Sequence, residues 1–185
     1  MFIGCACVLM AAFVLQPPPA IKAELARTNE TRGVFVQTKK LPTGEEFVSK
    51  GEFAIRPGKD FEWRVTEPFD SLFFADREKY IYSNEDECVE KPLDGLPGFS
   101  RFIAVEQGDF SDFFKAFDCL YKEDSAEEGG AFHVLAKPKD AKLKSVLSRV
   151  EADGTIPSWT LKATFPDGTI FCIKFDTPLT RRAEN

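Results

Sequence analysis

The stretch Gly51–Asp76, GEFAIRPGKDFEWRVTEPFDSLFFAD, decides how the rest of the chain is understood. Phe53 and Ile55 share one parity, and Phe61, Trp63 and Val65 take it up again, with Glu52, Ala54, Arg56, Glu62 and Arg64 between them. That period of two predicts half-buried antiparallel strands with one apolar face. Pro57-Gly58 separates the first two strands and Glu67-Pro68 ends the second, because proline has no N–H to give a ladder. The stretch is a meander of short strands, and the chain on either side extends its sheet.

Upstream, Val34–Leu41 predicts a strand, Pro42-Thr43-Gly44 a turn and Glu45–Ile55 the next strand. Before them, Ile21, Ala23, Leu25 and Ala26 give Ala20–Arg32 the spacing of a short amphipathic helix, stopped by Gly33. Downstream, Lys79–Val89 alternates through Tyr80, Ile81 and Tyr82 as a strand running into an exposed acidic hairpin end. After the loop Pro92–Gly98, Phe99, Phe102 and Ile103 form one apolar stripe. Asp109 caps a second helix whose Phe110, Phe113, Phe114 and Phe117 fall at helical spacing. The rest predicts β structure: Phe132–Ala136, a lysine-rich loop Lys137–Lys144, Ser145–Ala152, and a turn at Asp153-Gly154. A closing hairpin follows, with Trp159, Leu161, Ala163 and Phe165 on one strand, Pro166-Asp167-Gly168 turning it, and Phe171, Ile173 and Phe175 returning.

Hydrophobic residues make up 43% of the 185-residue chain and charged residues 29%, enough apolar material for one domain with its own core. The net charge of −6 disfavours a nucleic-acid reader, which needs a basic surface. Phenylalanine is the outlier, 19 residues against three tyrosines and two tryptophans. So many rings without polar tips suit either an ordinary core or the lining of a lipid cavity.

Met1–Ala20 carries no charged side chain and is expected to be a signal peptide, short of a comfortable membrane span. Residues 21–178 then form a single domain and residues 179–185 a loose polar tail. Beyond the leader, Cys88, Cys119 and Cys172 are an odd number without Cys-x-x-Cys spacing, so a disulfide framework is excluded and one bridge stays open. The lone His133 sits on the parity opposite Phe132 and Val134, with no partners for a triad or a zinc site, and reads as a strand-surface histidine. No phosphate loop or dinucleotide fingerprint is present. No catalytic residue, metal site or cofactor is assigned.

The order Gly51-Glu52, Arg56-Pro57, Phe61-x-Trp63 and Glu67-Pro68 followed by Ser71 resembles the periplasmic outer-membrane lipoprotein carriers, the LolA family. Gln107–Phe110, Leu135–Asp140 and the closing strands are similar to a LolA-related branch, so the likeness runs from about Glu24 to Asp176. The resemblance implies a mainly β fold with a few helices, a curved antiparallel half-barrel closed by a helical lid. It also implies a carrier and not an enzyme. Phe53, Ile55, Phe61, Trp63 and Val65 would line the cavity, continued by Trp159, Leu161, Phe171 and Ile173. Phe102, Phe113 and Phe114 would belong to the lid. In this chain three residues, Gly58, Lys59 and Asp60, separate Arg-Pro from Phe-x-Trp where the family has two. Arg56, matched to the arginine that bonds the lid, therefore falls on the face opposite Phe61.

By the same resemblance the cargo is an acylated lipoprotein or another lipid, received from an inner-membrane ABC-type extraction complex and passed to an outer-membrane acceptor, and the protein is a periplasmic monomer. Leaving an acyl chain of about 15 methylenes bare in water costs about 12 kcal/mol, which is why a carrier must hide it. Two alternatives stay open: a lipid-sensing or interaction module of the same half-barrel without cargo transfer, and a small-molecule enzyme, favoured only if acidic or histidine groups converge inside the barrel.

Overall fold

The computed structural model describes residues 30–56, 59–92, 115–123, 131–155 and 158–176. Its strands are β1 (Thr31–Lys40), β2 (Glu46–Arg56), β3 (Asp60–Glu67), β4 (Ser71–Ala75), β5 (Lys79–Asn84), β6 (Cys88–Pro92), β7 (Phe117–Glu123), β8 (Phe132–Pro138), β9 (Arg149–Thr155), β10 (Ser158–Thr164) and β11 (Ile170–Asp176). One short helix, α1 (Ala141–Lys144), stands between β8 and β9. All eleven strands form one antiparallel sheet in the order β6-β5-β4-β3-β2-β1-β11-β10-β9-β8-β7. Two meanders, β1–β6 and β7–β11, meet at the β1–β11 ladder, and every other pairing joins strands consecutive in sequence.

Short polar side chains make the turns. Asn84 Oδ1 accepts from the backbone N–H of Asp86 and Glu87 between β5 and β6, at 2.9 and 2.8 Å. Asp76 accepts from Glu78 and Lys79 between β4 and β5 at 2.8 and 2.9 Å, and these N–H groups hold its carboxyl below the usual range. Asp167 accepts from the backbone and hydroxyl of Thr169 in the last hairpin.

The sheet is curved. Trp63 on β3 and Phe175 on β11 bring their ring centroids within 6.1 Å. β2 and β1 lie between those strands, so in a flat sheet they would stand about 14 Å apart. Side chains converge like this only on the inside of a rolled sheet. That inner face carries the core: Phe35, Phe53, Phe61, Trp63 and Phe73 from the first meander; Phe132, Val134, Val150, Ala152, Leu161, Ile173 and Phe175 from the second.

Several expectations need correcting. Thr31 and Arg32, assigned to a helix, begin β1 and pair with Ile55 and Ala54, where the ladder outweighs a short helical periodicity; residues 20–29 lie outside the described part. Phe117 opens β7 opposite Pro138 instead of ending the phenylalanine-striped helix. Lys79–Val89 is two strands, divided at the Asn84 turn. The lysine-rich loop contains α1, capped by Asp140, whose carboxylate accepts from Leu143 N–H at 2.8 Å. Consequently β9 begins at Arg149 and not at Ser145. Asp153 and Gly154 lie within β9, paired with His133 and Phe132, so the chain reverses after Thr155. The expected signal peptide 1–20, the expected lid residues Phe102, Phe113 and Phe114, and residues 179–185, expected as a tail, lie outside the described residues.

Candidate lipid-binding face

Register brings the expected lining together. Phe53 pairs with Trp63 and Ile55 with Phe61 across β2 and β3; Val65 pairs with Gly51. Leu161 pairs with Ile173 across β10 and β11, Trp159 with Phe175, and Ala163 with Phe171. All nine expected residues belong to one cluster, with Ile55 and Val65 only partly buried against it.

Two glycines make this packing possible. Gly51 faces Phe35, and Gly33 faces Phe53, as reciprocal pairs across β1 and β2. A Cβ on Gly51 would stand 2.7 Å from the Phe35 ring, and one on Gly33 2.7 Å from the Phe53 ring. Each ring therefore lies flat over the neighbouring strand and reaches the next one. Phe35 crosses Gly51 to stack on Trp63 at 3.6 Å, and Phe53 meets Phe175 edge-on at 5.4 Å. Trp159 stacks on Phe175 at 3.8 Å, and Phe61, Phe73 and Tyr80 continue the chain of rings outward. The large rings form a fixed floor. Ile55, Val65, Tyr80 and Cys119 are half-buried at its borders. Burial pushes the Cys119 thiol up to about 11.

Phe35, Phe73, Phe132 and Phe175 complete the face and were not among the expected lining residues. Phe175 carried the right parity in the sequence. Phe35 sits between Val34 and Val36, and Phe73 beside Phe74, so alternation alone does not say which residue turns inward.

Arg56 points to the outer face. Its guanidinium binds Glu30 at 3.0 Å and Asp60 at 2.5 Å, with Glu62 at 3.7 Å, tying the start of β1 to the β2–β3 hairpin. The Asp60 contact, with its charge and that of Glu30, raises the Arg56 pKa. His133 is also outside, where Nδ1 meets the Asp153 carboxylate. Cys88, Cys119 and Cys172 are free thiols. Among the described residues no group of His, Cys, Asp or Glu could hold a metal ion, and no helix is long and apolar enough to cross a membrane.

No family model matches the chain. An outer-membrane lipoprotein carrier protein from Cupriavidus necator is 33% identical over 108 residues, covering 51% of this chain and 51% of the relative. A protein of the same name from Cupriavidus taiwanensis is 32% identical with the same coverage. The chain thus spans about half the length of the curated relatives it matches. Among solved structures, a LolA superfamily protein from Nitrosomonas europaea gives a TM-score of 0.42 at 7% identity, covering 85% of this chain and 92% of that one. A putative outer membrane lipoprotein-sorting protein domain from Vibrio parahaemolyticus gives 0.41 at 9%, covering 89% and 92%. Across the half that it shares with the Cupriavidus proteins, the chain is a homologue of outer-membrane lipoprotein carrier proteins.

Proposed function

We propose that the protein is a periplasmic carrier that shields the acyl chains of lipoproteins, or of a related lipid, against the inner face of its sheet and ferries them from the inner to the outer membrane. The observation that carries this is the convergence of residues far apart in sequence, Phe53, Phe61 and Trp63 with Trp159, Leu161 and Ile173, on one concave apolar face. The relatives' name supports the choice of cargo, and they are named as carriers and not as enzymes. No carboxylate–histidine pair faces inward among the described residues, since His133 and Asp153 meet on the outer face. The floor of stacked rings provides apolar contact, and the half-buried border of Ile55, Val65 and Tyr80 admits a chain that must later leave. By analogy with the family, cargo arrives from an ABC-type extraction complex and departs to an outer-membrane acceptor.

Native mass spectrometry of the protein purified gently from a bacterial periplasm tests this. Co-purified acylated peptide or lipid is expected, together with transfer of a labelled lipoprotein to acceptor vesicles. An empty protein that also refuses a fluorescent acyl probe would sink the proposal. Stacking of Phe35 on Trp63 and of Trp159 on Phe175 favours a second reading, in which the face is filled by its own rings and the protein is a lipid-sensing or interaction module. Binding of the probe without transfer to the acceptor distinguishes that module from a carrier.

A further inference from the structure

The exposed apolar side chains are unevenly placed. Phe47 (57%), Val48 (51%), Phe69 (72%) and Val146 (56%) all stand at one rim of the sheet. Register puts them there: Lys40 pairs with both Glu46 and Ile170, Glu67 lies opposite Lys50, and Arg149 opposite Thr164. The β1–β2, β3–β4 and β10–β11 turns and the connection from α1 to β9 therefore share that end. Pairing with β3 stops at Lys50, so Glu46–Ser49 has β1 on one side and no described strand on the other. This leaves Phe47 and Val48 uncovered. The other exposed large apolar residues, Val34, Val36 and Leu120, lie on the outer face; the opposite rim has none among the described residues.

Beside Val146 the charge is positive. Lys137, Lys139, Lys142 and Lys144 are exposed around α1, in a chain whose net charge is −6. The acids among them are engaged: Asp140 caps α1, and Asp118 faces Lys139 at 3.4 Å. Along the rest of the arc from β9 to β3, Glu46, Glu67 and Asp70 are matched by Lys40, Lys50 and Arg64, and the acidic Glu85-Asp86-Glu87 turn stands at the same rim beyond β4, so the positive part of the rim is its α1 end.

We propose that this rim rests on an anionic phospholipid surface, with Phe47, Phe69 and Val146 entering the interfacial layer and Lys142 and Lys144 meeting lipid phosphates. The spacing of the apolar tips selects the partner. Val146 precedes β9 and Phe47 lies on β2, four strands along the sheet order, with the polar β10–β11 and β1–β2 turns between them. A protein interface needs a contiguous, well-packed apolar centre, whereas a bilayer receives separate tips individually. The proposal goes beyond the carrier role and does not require it: it says where the protein would meet a membrane, whatever the inner face holds.

The test places tryptophan at the rim. Phe47→Trp and Phe69→Trp in the full chain are mixed with phosphatidylcholine/phosphatidylglycerol vesicles carrying brominated acyl chains. The native Trp63 and Trp159 are buried, and the parent protein supplies their background. Quenching beyond that background is expected for both variants, weaker on pure phosphatidylcholine, with apparent affinity falling about fivefold for each of Lys142→Ala and Lys144→Ala. No added quenching on either vesicle, as a rim that serves a protein partner would give, overturns the proposal. So does quenching indifferent to lipid charge and to both lysine variants. Uptake of a soluble acyl probe, measured without vesicles, reports separately on the inner face, so failure at the rim and failure of the carrier role are distinguishable.

Discussion

Phe35 and Trp63 stack with ring centroids 3.6 Å apart although β2 runs between the strands that carry them. The contact exists because Gly51 lies beneath it. A Cβ at Gly51 would stand 1.9 Å from the Arg64 carbonyl oxygen, so the backbone of β3 would have to move as well as the Phe35 ring. Gly51→Ala is expected to cost more than about 3 kcal/mol in urea unfolding. Gly44→Ala is the control: its φ is +93° in open space, and only the left-handed backbone cost of about 1 kcal/mol applies. Equal, small losses for the two would show that β3 yields freely.

Phe61 and Val65 separate folding from binding. Phe61 is 2% exposed and packs against Trp63 and Phe73, so a charge at this lining position disrupts the core itself. Phe61→Glu is expected to destabilise by several kcal/mol, about 3 or more. Val65, half-buried at the border, tolerates charge better. Val65→Glu should keep a cooperative thermal transition and lose acyl-probe uptake; retained uptake by the folded variant would move cargo away from β3.

Arg56→Ala removes the contacts with Glu30, Asp60 and Glu62. Its side chain is only 26% exposed, and a loss of about 1 kcal/mol is expected, diminishing in high salt. Acyl uptake should be unchanged, because the network lies on the outer face. A transport defect without loss of stability would instead point to the family arginine's role at the lid.

The thiols should differ in reactivity. With its pKa pushed up to about 11, Cys119 is ionised to about one part in a thousand at pH 8. Exposed Cys88 is expected to be alkylated first, followed by peptide mass spectrometry, with half-buried Cys119 modified more slowly. Because burial holds the folded-state pKa above the ordinary thiol value, stability from keeping this thiol neutral is fully present below about pH 9. It is lost as pH rises towards 11, and Cys119→Ala should flatten that loss.

Strand positions were legible wherever a polar turn bounded an alternating run. Asp167 carried its own turn signal, and the expected inward residues Trp159, Leu161 and Ala163 pair with Phe175, Ile173 and Phe171. Strand β7 was not legible, because Phe117 completed a helical spacing with phenylalanines before it and nothing local revealed that it would pair with Pro138. The face was legible as a parity and not as a volume. That Phe35 would reach Trp63 depended on a glycine in the strand between them, a relation across strands that a linear pattern does not contain.

The β1–β11 ladder has a kinetic consequence. Each meander is assembled from neighbours in sequence and can zip up locally, whereas Phe35 must find Phe175 across almost the whole described chain. Closing so long a loop is the slow, entropically expensive step. Two preformed halves joined along one late seam would also part there first, exposing the Phe53–Phe175 and Trp63–Phe175 contacts while both meanders stay intact. A single line of backbone hydrogen bonds would then govern both the rate of folding and the ease with which the trough spreads.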